Sequence, residues 1–348
     1  MKHLLVVRFS ALGDVAMTVP VIAALACQYP QLRITVLTRP HFRPLFEGLP
    51  SNVDFFGADL KEKYKGLDGL RRLVADLQIR RFTALADLHD VIRTQVLRLC
   101  FRCAGIPVAH LQKNRRARKR LVRREHKVLN PVPSVFTRYA DVLERLGYPV
   151  RLDFDSLFGA EGGDLSLLPV AVEAKGENRW IGIAPFAAHR GKVYPRERME
   201  QVVAALSALP SVRIFLFGAG RKESLVFQEW QQRYPRTFSM VGRLGSMRNE
   251  LILMSHLDVM LSMDSANMHL ASLVNVPVVS VWGATHPYAG FMGWRQSEDY
   301  AVQTDLPCRP CSVYGSRPCL RKDYACMMRI APEQIVERVA AAAHLEQL

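Results

Sequence analysis

No apolar run in these 348 residues approaches the ~20 needed to span a bilayer. Near the start, Leu4 to Val7 is apolar, but Arg8 and Asp14 interrupt any signal-peptide core. A cytoplasmic protein is expected, with room for peripheral membrane contact. There is also no GxGxxG after a strand; the first candidate turn holds only Gly13, so the dinucleotide fingerprint is lacking, which counts against a nicotinamide-dependent dehydrogenase. Acidic residues are the scarce charge, 32 Asp and Glu against 47 Lys and Arg, a net of +15. Residues 1–175 hold 28 basic and 17 acidic residues, a net of +11, and the remainder a net of +4. The first half should therefore face something acidic: a nucleic acid, an anionic lipid or a phosphorylated glycan. Its densest stretch, 113–127, has nine Lys/Arg and one Glu but no aromatic residue. Without aromatic residues for base stacking, a phosphate-bearing or lipid-surface partner is favoured, with nucleic-acid binding through this run as the distant alternative.

What is present is an alternation of strands and helices. Apolar runs of strand length at 4–9, 33–37, 53–56, 82–87 and 107–111 are separated by helical patterns, and a second series at 180–184, 212–217, 257–261 and 278–282 repeats the arrangement. This is α/β, two doubly wound parallel sheets. The boundaries expected are a first domain at 1–155, a linker at 156–178, a second domain at 179–330 and a C-terminal helix at 331–348. Asp153 and Asp155, at the end of the first domain, form a lone DxD, too weak to assign to a metal.

Strand-to-helix turns in such sheets collect ligands. In the second domain they carry Lys192, Glu223 and the stretch 262–271, where Asp264, Ser265, Ala266 and Asn267 open a helix. A cation, a carboxylate and the free N–H groups of a helix start suit a nucleotide, phosphate to the first and third and ribose hydroxyls to the carboxylate. An ordinary capped helix is the plainer reading of 262–271 alone. In the first domain Asp14 stands at the turn after the first strand, as a helix cap or as a group at a cleft mouth. Lys61, Lys63 and Lys65 follow the third strand, Asp87 and His89 end the fourth, and Arg120 lies in the basic run. Four of the seven cysteines run Cys308-x2-Cys311-x7-Cys319-x6-Cys326. The CxxC start suits a zinc ligand pair and the four thiolates could close a structural site; reduced thiols packed in a loop region are the alternative.

Taken together, Ser10 to Val15, Lys192 with Tyr194 and Pro195, Gly218 and Gly220 with Glu223, and Asp264 to Ala271 resemble, in this order, the motifs of glycosyltransferase family 9, the bacterial lipopolysaccharide heptosyltransferases. The resemblance covers nearly the whole chain. It implies a GT-B fold, two Rossmann-like domains facing across a cleft, and inverting transfer of heptose from ADP-heptose to the inner core of lipopolysaccharide. By the same resemblance Asp14 is the general base, with Ser10, Gly13, Lys61, Lys63, Lys65, Asp87, His89 and Arg120 on the acceptor side. Lys192, Ser265, Ala266, Asn267 and Met268 would hold the diphosphate, Glu223 the ribose, and Asp264 and His269 the donor sugar or phosphates. The C-terminal helix would be free to return to the first domain. No cofactor is required, since these groups can neutralise a diphosphate. The expected partner is an anionic glycolipid at the cytoplasmic face of the inner membrane, with no nucleic acid, and the expected state is a monomer. The chain departs from better known members at Ala187 and Ala188, where they carry a hydroxyl pair, and at Val193 and Tyr194, where they carry His-Trp. Two donor hydrogen bonds are thereby lost, which leaves another nucleotide sugar or glycan acceptor open.

Overall fold

The computed structural model describes residues 2–345. It divides into two compact units: the chain up to Lys113 with Pro133–Leu157, and Asn114–Val132 with the chain from Phe158 onward.

The first unit is built on β1 (His3–Val7), β2 (Arg33–Thr38), β3 (Val53–Gly57), β4 (Ala84–Asp87) and β5 (Val108–His110), in the order β3-β2-β1-β4-β5 with every pairing parallel. Residues of β1 are buried throughout, as expected of a near-continuous apolar run in a sheet covered on both faces. Helices Gly66–Gln78 and Ile92–Cys103 put Leu70, Leu73, Leu77, Leu97 and Phe101 into one hydrophobic cluster with Leu5, Val7 and Leu85 of the sheet. Strand order reverses at β1, so the crevice of a doubly wound sheet opens between the ends of β1 and β4. Asp14 follows the first of these strands and Asp87 ends the second.

The second unit repeats the plan with β6 (Arg179–Ala184), β7 (Val212–Leu216), β8 (Thr237–Ser239), β9 (Val259–Met263), β10 (Val278–Trp282) and β11 (Ala301–Gln303), ordered β11-β10-β9-β6-β7-β8 and again parallel. Its switch point lies between β6 and β9. Gly182 of β6 lets two side chains pack close to the strand there: a Cβ would stand 2.6 Å from Leu257 Cδ1 and 2.9 Å from the Met260 thioether. Trp180, Trp230 and Trp282 are fully buried, and truncating any of them to alanine would cost about 3–5 kcal/mol.

Three features differ from the sequence reading. The C-terminal helix, Pro332–Ala342, packs within the second unit, against helix Arg196–Ser207, and Ile335 and Val339 enter that unit's core. Beyond Lys113, the basic run is not part of the first unit. Arg118, buried, stacks 4.4 Å from the Phe291 ring centroid and donates to Tyr314 Oη at 3.2 Å and Ala289 O at 3.3 Å. Lys127 Nζ donates to the carbonyls of Pro307, Arg309 and Pro310 at 3.0, 2.7 and 3.1 Å. These long side chains bury their stems and bring donors to backbone carbonyls, and Lys113 does the same within the first unit, donating to Asp90 O at 2.5 Å, so at least three of the nine cations are anchors rather than partner-seeking charges. Arg120, exposed on the short helix Arg115–Leu121, therefore belongs to the second unit and not with Lys61, Lys63 and Lys65. Finally, β8, β11 and helix Met247–Met254 are additional to the elements read from the sequence. Among the described residues no helix is long and apolar enough to cross a membrane.

Candidate active site

In the second unit, Lys192 and Asp264 meet at the switch point. Lys192 ends the turn Arg190–Lys192 in the connection after β6, and Asp264 directly follows β9; their Nζ and Oδ2 are 2.9 Å apart, with side-chain exposures of 17% and 6%. Backbone crowding sets this position. Ala284 N donates to Gly191 O at 2.8 Å, pinning the lysine turn to the end of β10. A Cβ on Gly283 would come within 2.6 Å of that same Gly191 oxygen. A Cβ on Gly315, at φ +76°, would come within 2.6 Å of Lys192 Cγ, so the three glycines form a close-fitting bed for the lysine.

Helix Ala266–Leu273 begins beside this pair. Its N-cap, Ser265, makes no side-chain capping bond; its hydroxyl lies 3.2 Å from that of Ser262 instead. The first-turn N–H groups are therefore left to a ligand or to water. Ala266 and Asn267 are partly exposed at this mouth, while Met268 and His269 turn inward and are buried. Glu223, after β7, folds back on its own turn: Oε2 accepts from Ala219 N at 2.8 Å, and burial pushes its carboxyl above the usual range. Gly218 leaves it room, since a Cβ there would lie 2.4 Å from Oε2.

In the first unit, Asp14 accepts from Ala11 N at 3.2 Å and pairs with Arg8 at 2.7 Å, both through Oδ2. The Arg8 side chain is 9% exposed and also donates to Leu88 O at 2.7 Å, tying the end of β1 to the turn after β4. Sequence reasoning missed Arg8; its signal was a cation at the end of an otherwise apolar strand. His89 Nδ1 accepts from Phe9 N at 3.4 Å. Burial, reinforced by the Arg8 charge, lowers its pKa to about 3, so it is a neutral acceptor at physiological pH. Asp87 is fully buried, takes the amides of His89 and Asp90 at 2.9 Å each, and lies 3.4 Å from Arg98, which shapes the turn. Ser10 and Gly13 lie partly exposed in the turn around Asp14. Lys61, Lys63 and Lys65 are exposed beyond β3, Lys63 held by Asp76 at 2.8 Å.

The model of glycosyltransferase family 9 (heptosyltransferase) matches residues 70–319, most of the chain and all of the elements that carry the Lys192–Asp264 pair. The chain belongs to glycosyltransferase family 9. Lipooligosaccharide heptosyltransferase 2 of Campylobacter jejuni is 26% identical over 138 residues, but that match spans only 39% of this chain and 42% of the relative. Lipopolysaccharide heptosyltransferase 3 of Escherichia coli is 23% identical over 301 residues, 84% of each chain. The solved structure of Escherichia coli ADP-heptose lipopolysaccharide heptosyltransferase II aligns over 99% of both chains with a TM-score of 0.66 at 18% identity. The two parallel sheets are those of the GT-B fold of family 9.

Cys308, Cys311, Cys319 and Cys326 of this family 9 chain line one cavity, with Arg309 and Tyr324. All are free thiols, and among the described residues no group of three or more His, Cys, Asp or Glu side chains is disposed to hold a metal ion. The zinc site suggested by the CxxC spacing thus has its residues in one place without a formed ligand set. Arg309 is the part of this region that the spacing did not reveal: it is buried and donates to Gly283 O at 2.5 Å, Thr285 O at 3.0 Å and Gln303 Oε1 at 3.0 Å, stitching the ends of β10 and β11 together. Burial pushes the Cys326 thiol to about 11. Its alkylation by iodoacetamide is expected to be at least ~100-fold slower than that of exposed Cys27 or Cys103. A mass-spectrometric time course on the native protein checks this; equal rates would mean that the cavity opens readily.

Proposed function

We propose that this chain transfers a heptose from ADP-heptose to a sugar hydroxyl of the lipopolysaccharide inner core, with inversion. The observation that carries the reading is the Lys192–Asp264 pair at the start of helix Ala266–Leu273, on the switch point of the second sheet. It is supported by membership of family 9 and by the names of the relatives it resembles.

In this reading the donor diphosphate lies against Lys192 and the free N–H groups at Ser265 to Met268, and Glu223 accepts from ribose hydroxyls. The acceptor oxygen attacks the anomeric carbon as the bond from that carbon to the phosphate oxygen breaks. Asp14 takes the acceptor's proton, and ADP leaves with the bonding pair, its charge met by groups already in place. Arg8 holds the Asp14 carboxylate by one oxygen. The enzyme works as a monomer at the cytoplasmic face of the inner membrane, on a phosphorylated glycolipid that the cationic loop beyond β3 would attract.

The donor is tested by thermal shift against ADP, UDP, GDP and their sugars. A ligand at a hundred times its Kd adds about 2.7 kcal/mol to stability, a shift of several degrees. Shifts with ADP and ADP-heptose alone are expected. A larger shift with a uridine or guanosine sugar would overturn the donor while leaving the family intact.

A further inference from the structure

The first unit carries a surface that the transfer chemistry does not use. Leu67, Ile79, Ile92 and Leu99 are 78%, 78%, 81% and 62% exposed. They lie on, or at the end of, helices Gly66–Gln78 and Ile92–Cys103, whose inner residues share one hydrophobic cluster over the same sheet. The four aliphatic side chains therefore stand on the outside of a single helical layer. Ile92 and Leu99 are seven residues apart, on the face opposite Thr94 and Phe101, which are buried. Singly exposed leucines are ordinary, but here they are interleaved with the exposed cations Lys65, Arg72, Arg81 and Arg102. Two of the nearby acids are already engaged, Asp68 with Arg71 at 3.2 Å and Asp76 with Lys63 at 2.8 Å. Leu67 and Ile92 also sit in the first turns of helices that follow β3 and β4. In a parallel sheet that places them at the strand-end edge shared with Asp14.

We infer that this helical layer is a docking surface for an anionic lipid bilayer. Aliphatic side chains among long, flexible cations fit a phosphate headgroup layer with hydrocarbon beneath it. A solvated basic patch does not call for nearly bare leucine and isoleucine. A protein partner that buried them would need acidic groups opposite each cation, whereas a bilayer supplies phosphates wherever the cations fall. Docking here would bring the Asp14 edge to the membrane in which a lipid-linked acceptor resides. It deepens the acceptor half of the reading above, yet it is measured with neither donor nor acceptor present, so failure of one does not entail failure of the other.

The test is co-sedimentation of the full chain with vesicles of phosphatidylethanolamine containing one-third phosphatidylglycerol, against vesicles of phosphatidylethanolamine and phosphatidylcholine. Binding is expected to the anionic vesicles at about 0.05 M salt, strongly reduced near 0.5 M where screening shortens to a few ångströms, with little binding to the neutral ones. The Leu67→Ser/Ile92→Ser variant should bind at least ~10-fold more weakly. Arg72→Gln/Arg102→Gln should lose roughly 30-fold. Leu225→Ser, 51% exposed in the second unit, should bind as the parent does. Wild-type protein that stays in the supernatant, or serine variants that sediment as well as wild type, would overturn the inference. So would concentration-dependent self-association that the serine pair abolishes in the absence of vesicle binding, because the surface would then belong to a second copy.

Discussion

Asp14→Asn is expected to lower the rate of transfer by ~10²–10⁴ while leaving nucleotide binding unchanged. The amide keeps the shape of the carboxylate and can still accept the Ala11 N–H, so the turn after β1 retains its local bond. What it loses is the capacity to take a proton from the attacking hydroxyl. It also loses the charge that answers Arg8, whose side chain is 9% exposed. Arg8 keeps its bond to Leu88 O, so the expected structural cost is a modest fall in melting temperature rather than unfolding. Single-turnover kinetics and calorimetry with ADP separate the two outcomes. Turnover within about threefold of wild type is too small a change for a lost general base and would remove Asp14 from the proton transfer.

Lys192→Ala should weaken ADP binding by about 30- to 5,000-fold, more than the loss of one exposed contact. Removing one partner of a close, mostly buried charge pair leaves the other uncompensated, which typically costs 2–5 kcal/mol. Here the stranded group is Asp264, 6% exposed, and it would face an incoming diphosphate with like charge. Two contributions can therefore be told apart. Lys192→Ala/Asp264→Asn should recover part of the loss, because the repulsion disappears with the carboxylate while the missing cation does not return. A double-mutant cycle by calorimetry reads the coupling directly. Unchanged ADP affinity in Lys192→Ala would sink the phosphate site.

Most of the fold was legible because the apolar runs were long enough to fix strands and the turns between them were chemically distinct. Strand 180–184 of the sequence reading is Arg179–Ala184, and 212–217 is Val212–Leu216. Strands β8 and β11, three residues each, were too short for any period to show. The expectation that Lys192 and Asp264 share a sheet edge needed only a parallel sheet. Their direct pairing did not follow from it, because it depends on Gly191, Gly283 and Gly315 letting three backbone segments approach one another. Arg8 was hidden for a related reason: a buried arginine is identified by its partners, Asp14 and Leu88 O, and those come from six and eighty positions away. The structural share of the basic run was hidden because composition counts charges without saying which are already hydrogen-bonded; Arg118 and Lys127 spend theirs on an aromatic ring and three carbonyls.

The passage of Asn114–Val132 into the second unit bears on how such proteins can be recombined. A chimaera that joins the front of one family member to the back of another at a single crossover near residue 157 would leave the recipient's Arg118 against a foreign Phe291. Its Lys127 would likewise meet a loop with which it was not selected to bond. Exchanging donor specificity between relatives therefore calls for transplanting two stretches of sequence together, and a gene fragment starting at Phe158 would lack a piece of its own unit.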